Sequence, residues 1–232
     1  MPSNIRVAKA MIEYAKKHKL AVPKLSLTNP LWGKGKRTLA WRVSAHAFGE
    51  KQASAQKTGR LCSLLFPLTP AQKCRARIVA GYHSILGAVE GGSVQRAIAK
   101  FCGLSRLEPW CAETLTYVLK HLAAYNGPMP DNPYFVPSWE LFAKAHGIIV
   151  PFRKGLPGMV ITFKWNGQRQ VGTGDHIGIL VKRTLTKAHI LVNPRTSEGN
   201  AGSPVGDAVI VTTRYWYQVN TIFDVARLQK EN

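Results

Sequence analysis

Hydrophobic residues recur at helical spacing in several segments of the first two thirds of the chain. This spacing predicts an amphipathic helix over residues 4–19, with most of its lysines away from the apolar face. A helix is also predicted from Pro70 to about Leu86, because Thr69 can cap it and proline is tolerated at a first helical position. Further helices are predicted over about 93–101, from Trp110 to before Gly127, and from a capping Ser138 to about Ala145.

The pattern changes in the last third of the chain, where β-branched and aromatic residues form short apolar segments. Turn residues separate these segments, as in Asn166-Gly167 and Gly199-Asn200-Ala201-Gly202. Helices followed by strands indicate an α+β fold with an antiparallel sheet. The predicted strands cover residues 159–165, 177–183, 188–192 and 208–217.

The net charge of +20 is unevenly distributed along the chain. Residues 1–73 contain 14 Lys/Arg and 2 Asp/Glu, a net charge of +12, which leaves +8 for the remainder. With a boundary at Pro67–Pro70, this predicts a small basic helical module over residues 1–68 and a larger domain over residues 69–232. A basic surface attracts polyanions of any kind, including nucleic acid, anionic lipid and anionic wall polymers.

Composition narrows the class of protein. An apolar content of 45% and a charged content of 19% are typical of a folded chain rather than a disordered one.

The cysteines and histidines lack the spacing of a zinc site, so we expect no metal and no other cofactor. Reduced cysteines are the simpler interpretation, and a Cys62–Cys74 disulfide is the alternative. The first residues lack the apolar segment of a signal peptide, and no apolar run would span a membrane, so we expect a protein made in a cytosol. We also expect a monomer.

Candidate chemistry begins at Pro109-Trp110-Cys111-Ala112, where a cysteine opens a predicted helix. Downstream, His176 opens a predicted strand within Gly174–Leu180, and Glu198 and Asn200 follow on a predicted loop. A cysteine attacks as thiolate, a form that a helix N-terminus and a neighbouring imidazole both favour. A third polar group then holds the imidazole in its useful tautomer. Cysteine, histidine and an orienting group are therefore predicted to form a thiol hydrolase site.

Other residues compete for these roles. A cysteine on a helix is often a small core hydrophobe, and Cys102 fits that description because it ends a predicted helix. Asp175 adjoins His176 but points to the opposite face of the strand, which makes it a poor orienting group. His189, on the predicted strand 188–192, is the remaining histidine that merits testing.

The three segments resemble the cysteine- and histidine-dependent amidohydrolase/peptidase (CHAP) family of the papain-like superfamily. That family carries Pro-Trp-Cys-Ala at a helix start, a Gly-Asp-His-Val-Gly-Ile-Val strand and Glu-Gly-Asn on the next hairpin, which are matched by 109–112, 174–180 and 198–200. The order of the three motifs is also the same. The resemblance covers about residues 74–217.

The resemblance implies a papain-like α+β fold and hydrolysis of amide bonds in peptidoglycan. It implies Cys111 as nucleophile and His176 as general base, with Glu198 orienting His176 and Asn200 assisting. The bond would be the N-acetylmuramoyl-L-alanine amide or a peptide bond of the stem or cross-bridge. We expect a bacteriophage endolysin or virion-associated lysin, held in the host cytoplasm before release to the wall.

Two other functions remain open. One alternative is a nucleic-acid-binding protein in which the basic module binds the nucleic acid and the hydrolase fold is degenerate. In a lysin the same module would instead bind anionic wall polymers or an outer membrane. A protease or isopeptidase acting on proteins is the third possibility.

Overall fold

The computed structural model describes residues 68–104, 110–182, 184 and 192–230, together with Glu13 and Lys17. The chain divides into two units, residues 1–68 and 69–232. In the described part of the second unit, helices precede a five-stranded antiparallel sheet, which confirms the predicted α+β class. Residues 188–191 of the predicted strand over 188–192 lie outside the described residues. So does most of the helix over 4–19, of which only Glu13 and Lys17 are described, both helical and exposed.

Helix α1, Pro70–Ser84, begins where the sequence predicts it. The Thr69 hydroxyl accepts a hydrogen bond from the Gln72 amide at 3.2 Å, and the Gln72 side chain accepts one from the Thr69 amide at 2.9 Å. This reciprocal pair satisfies two amides that the helix itself leaves unbonded. The helix ends at Ser84, two residues before the predicted end at about Leu86, whose side chain is 43% exposed.

Three further helices follow. Helix α2 covers Ser93–Cys102, and helix α3 covers Cys111–Tyr117 and continues as a π-helix over Val118–Leu122. Helix α4 covers Val136–Ala145, with Phe135 at the capping position and a proline in its first turn. The predicted cap at Ser138 is therefore wrong, because Pro137 extends the helix in the N-terminal direction and leaves Ser138 inside it.

The sheet has the strand order β4-β3-β2-β1-β5, with every neighbouring pair antiparallel. Strand β2 is therefore central, between β1 and β3. The edge strand β5 follows a short 3-10 turn at Trp216–Gln218, where the sequence predicted a continuation of the preceding strand. The strands cover Val160–Phe163 (β1), His176–Leu180 (β2), Arg195–Ser203 (β3), Gly206–Thr213 (β4) and Val219–Phe223 (β5).

The predicted turn at Gly199–Gly202 is wrong, because these residues lie within β3. The pairing of β3 with β4 shifts between Glu198 and Ala201, and Asn200 has a φ of 54°. Such an irregularity inserts an extra residue into a continuing strand, and asparagine tolerates positive φ better than most residues. The glycine and asparagine thus mark a β-bulge rather than a reversal of the chain.

The helices pack their apolar faces on one side of the sheet. Trp110, Leu115 and Trp139 are fully buried there with Ile177 and Ile179 of β2. A smaller apolar cluster contains Ile161, Phe163 and Leu180. The loop over residues 126–133 contains neither helix nor strand, as its prolines predict.

Three cysteines lie among the described residues, and Cys74, Cys102 and Cys111 are all buried free thiols. The free Cys74 contradicts the alternative of a Cys62–Cys74 disulfide. Over the described part of the chain, no helix combines the length and the apolar character needed to cross a membrane.

Replacing Thr69 with alanine is expected to lower the free energy of unfolding by about 1 kcal/mol, because the first turn of α1 loses its side-chain acceptor. Urea denaturation followed by circular dichroism measures the effect. Thr69→Ser keeps the hydroxyl and serves as the matched control. Equal stability of the alanine and serine variants would contradict the capping role.

Candidate active site

Cys111 is the first residue of α3 and is 6% exposed. At the start of this helix the Thr114 hydroxyl and the Thr114 amide both donate to the Trp110 carbonyl, at 2.7 and 2.9 Å. A Cβ atom at Gly199 would lie 2.2 Å from the Thr114 hydroxyl oxygen. Only glycine therefore lets β3 approach this turn of α3 so closely, and the approach brings the cysteine to the sheet.

His176 is the first residue of the central strand β2 and is 5% exposed. Its Nε2 lies 2.9 Å from Glu198 Oε2. The Cys111 thiol interacts with the same ring and raises its pKa. Because Nε2 is engaged by the carboxylate, Nδ1 is the ring nitrogen available to another partner.

Glu198 lies on β3 directly opposite Gly178 of β2, and its side chain is completely buried. A Cβ atom at position 178 would lie 2.6 Å from Glu198 Cγ. The glycine two residues after His176 therefore provides the space through which the carboxylate reaches the imidazole. The structure thus brings Cys111, His176 and Glu198 together.

Arg214 is a member of the site that sequence reasoning missed. Its Nε lies 3.1 Å from both carboxylate oxygens of Glu198, and its Nη2 lies 2.6 Å from Oε2. The Thr196 hydroxyl donates to Glu198 Oε1. Arg214 follows β4, the strand paired with the strand that carries Glu198, so it could have been found only with the register of that pair in hand.

The electrostatics of the site favour an imidazolium. Burial lowers the pKa of His176, but the hydrogen bonds and charges of Cys111 and Glu198 outweigh it and raise the pKa from 6.5 to about 9. Burial raises the pKa of Glu198, yet His176 and Arg214 together lower it from 4.5 to about 2. Each shift has the sign expected for a buried group that faces an opposite charge. At neutral pH the site therefore holds a carboxylate, a guanidinium and an imidazolium near the Cys111 sulfur.

The other candidates lie apart from this assembly. Among the described residues no hydrogen bond joins Asn200 to His176, and Asn200 is half-buried at the bulge of β3. The Asp175 carboxylate accepts from Lys164 Nζ at 2.7 Å and from the Trp165 amide at 2.9 Å, rather than from His176. Burial at the C-terminus of α2 raises the pKa of Cys102 to about 11, which keeps this thiol protonated.

Glu140 of α4 is a second residue that the sequence did not reveal. It is completely buried, and its Oε2 accepts hydrogen bonds from the consecutive amides of Gly172, Thr173 and Gly174 at 2.7, 3.0 and 3.1 Å. Its Oε1 accepts from the Thr162 hydroxyl and, at 2.8 Å, from Asn220 Nδ2. One buried carboxylate therefore fixes the loop that leads directly into His176.

Aromatic rings cover the other side of the histidine. The Trp165 ring lies 5.5 Å from the His176 ring and is stacked on Phe163 at 5.7 Å, between centroids. The Arg214 guanidinium lies 5.1 Å from the Trp165 centroid, a distance typical of a cation–π contact. Trp165 thereby contacts both charged partners of Glu198, although its own ring is 43% exposed.

Comparisons with protein-family models, with curated proteins and with solved structures find no match to this chain. Over the described residues, no group of three or more His, Cys, Asp and Glu side chains is placed to hold a metal ion. The site's own geometry therefore carries the argument for its chemistry.

The raised pKa of His176 predicts how stability depends on pH. Because the folded value of about 9 lies above 6.5, the folded state binds this proton more tightly. The resulting stabilisation is complete below pH 6.5 and is lost as pH rises through about 9. We expect the free energy of unfolding to fall more steeply over this interval in the wild type than in Glu198→Gln.

Denaturant titrations at a series of pH values test this expectation. Asp175→Asn is the matched control, because that carboxylate adjoins His176 in sequence but binds Lys164. The control should retain the wild-type slope. If the wild type and Glu198→Gln lose stability in parallel, the carboxylate does not hold the imidazolium.

Replacing Glu140 with glutamine is expected to lower the free energy of unfolding by about 2 kcal/mol, the scale of a hydrogen bond to a charged group. Both oxygens of Glu140 accept hydrogen bonds, so either orientation of the amide presses its NH2 against a donor. Thermal or urea denaturation measures the effect, with exposed Glu90→Gln as the control. Indistinguishable stabilities of the two variants would refute the anchoring role.

Proposed function

We propose that this protein is a peptidoglycan hydrolase that cleaves an amide bond of the bacterial wall with a cysteine nucleophile. The observation that carries the proposal is the interaction of three side chains from three elements. The imidazole at the start of β2 is hydrogen-bonded to the buried carboxylate on β3, and the thiol at the start of α3 raises the pKa of that imidazole. These are the residues of the three ordered motifs that resemble the CHAP family. The papain-like arrangement belongs to the same proposal.

In the first step the Cys111 thiolate attacks the carbonyl carbon of a wall amide and forms a C–S bond. The negative charge that develops on the carbonyl oxygen is stabilised by the Cys111 backbone amide, which has no partner within the helix. As the C–N bond breaks, the His176 imidazolium gives its proton to the leaving amine. The products of this step are a free amine and a thioester on Cys111.

In the second step the neutral His176 accepts a proton from water, and the hydroxide oxygen attacks the thioester carbon. The C–S bond breaks, the carboxylic acid leaves, and the thiolate and the imidazolium are restored. The Glu198 carboxylate stabilises the positive charge on the ring and fixes its orientation. In this scheme Arg214 and Thr196 hold the carboxylate in place, and Asn200 assists from the bulge.

The uneven charge supports a role for the first unit of the chain. Residues 1–68 are strongly basic, and binding to an anionic wall polymer or an outer membrane requires such positive charge. We assign the protein to the endolysin or virion-associated lysin class, acting as a monomer and held in the host cytoplasm until the wall is exposed. The same charge would suit binding to nucleic acid, which the test below separates.

We expect wild-type protein to clear a suspension of purified peptidoglycan, and Cys111→Ala and His176→Ala to lose at least 1,000-fold in rate, the scale on which triad residues act. Turbidity measures the rate, and mass spectrometry of the products identifies the bond. Cys102→Ala is the matched control, because it removes a second buried thiol outside the site.

Retention of wall hydrolysis by Cys111→Ala would refute the thiol mechanism. Absence of hydrolysis by the wild type across several wall types would refute the proposal that the protein is a peptidoglycan hydrolase. Steeply salt-dependent DNA binding in that case would favour the nucleic-acid-binding alternative.

A further inference from the structure

Four half-exposed aromatic side chains lie beside the site and take no part in the proposed chemistry. Trp165, Tyr215, Trp216 and Tyr217 are 43%, 57%, 52% and 50% exposed. We call these four residues the aromatic platform. Large rings are costly to leave in water, and a group of them outside the core commonly marks a binding surface.

The aromatic platform is continuous with the site. Trp165 contacts His176, and Arg214, which binds Glu198, is followed directly by Tyr215. A ligand that reaches Trp165 on the platform therefore lies next to the imidazole.

The platform is held in place before any ligand arrives. Arg169 Nη2 donates to the Trp216 carbonyl at 2.9 Å, and the Trp216 amide donates to Asn193 Oδ1 at 3.2 Å. The Tyr215 and Tyr217 rings are stacked with centroids 5.3 Å apart and an angle of 10° between their planes. Fixed rings lose little conformational entropy on binding, which favours affinity for a rigid ligand.

Three cations of the described residues that lie beside the platform are already engaged. Arg169 binds the backbone of the 3-10 turn, Arg214 binds Glu198, and Lys164 binds Asp175. A single-stranded nucleic acid needs cations free to neutralise its phosphates as well as rings on which to stack its bases. The charges that contact the platform thus favour a neutral ligand over a polyanion.

The size and polarity of the platform further restrict the class of ligand that it can bind. Four half-exposed side chains form a patch of a few hundred Å² at most, below the roughly 800 Å² that each partner contributes to a stable protein interface. An aromatic face carries negative potential and attracts the weakly positive C–H face of a pyranose ring, and the tyrosine hydroxyls can bond its polar groups. A short oligosaccharide is neutral, small enough for this patch, and has both C–H faces and polar groups.

We propose that the aromatic platform binds the sugar rings of the wall glycan strand. This inference rests on the proposed function and extends it, because it places N-acetylated pyranose rings beside Cys111. A bond held next to a sugar is the amide between muramic acid and the first amino acid of the stem. The platform thus favours the muramoyl–alanine amide over the peptide cross-bridge as the bond that is cut.

Binding of the N-acetylglucosamine tetramer to the full-length Cys111→Ala protein, measured by calorimetry, tests the platform without hydrolysis. We expect the tetramer to bind, and Trp216→Ala added to Cys111→Ala to weaken binding at least tenfold. Trp216→Phe keeps a ring and should retain most of the affinity. Val205→Ala removes an exposed apolar side chain at the opposite end of β4 and should change nothing.

Absence of tetramer binding, or undiminished binding after Trp216→Ala, would overturn the proposal. Binding of a single-stranded oligonucleotide in place of the tetramer, lost with Trp216, would also overturn it. Cys111-dependent wall hydrolysis with unchanged KM in Trp216→Ala would refute the platform and leave the hydrolase intact. Tetramer binding that depends on Trp216, without hydrolysis by the wild type, would support the platform and refute the hydrolase.

Discussion

The buried charge of Glu198 is the interaction on which the candidate site depends. An ionised carboxylate removed from water is tolerated only when hydrogen bonds and opposite charges replace its hydration. Arg214, Thr196 and His176 supply these partners from the residue after β4, from β3 and from β2, respectively. Strand register, the space left by Gly178 and the direction of the imidazole are all constrained by this one group. The cysteine can then be presented from the helix to a ring whose position is already determined.

Two glycines serve the same end by different means. Gly178 leaves room within the sheet for the Glu198 side chain, and Gly199 leaves room between the sheet and α3. A methyl group at either position would meet neighbouring atoms at less than ordinary contact distance. The glycines of the second and third motifs therefore have packing reasons that are separate from any role in catalysis.

Local signals predicted the elements that depend on local chemistry. Thr69-Pro70 located the start of α1, and the apolar spacing located α2 within one residue. The sequence could single out Cys111, His176 and Glu198 as candidates for one site, because each belongs to a short motif. Arg214 and Glu140 could not be predicted, because their partners come from other strands and loops and the register that joins them is a property of the folded sheet.

The errors have a common physical origin. Gly199-Asn200 resembles a turn because both residues accept unusual backbone angles, yet pairing with β4 carries the strand through the bulge. Ser138 is a good capping residue, but Pro137 and the packing of α4 begin that helix earlier. In each case a neighbouring residue or strand outweighed a local preference that is typically worth about 1 kcal/mol.

The dispersal of the site along the chain also bears on how the molecule folds. The thiol, the imidazole, the carboxylate and the guanidinium come from segments that are far apart in sequence, and the central strand β2 pairs on both sides with other strands. Contacts of this kind must pay for closing long loops before they become favourable, which slows folding. A nascent chain therefore holds its cysteine for some time without the imidazole beside it. The thiol and the imidazole therefore come together late, when the strands that carry the histidine and its carboxylate have paired, rather than during synthesis.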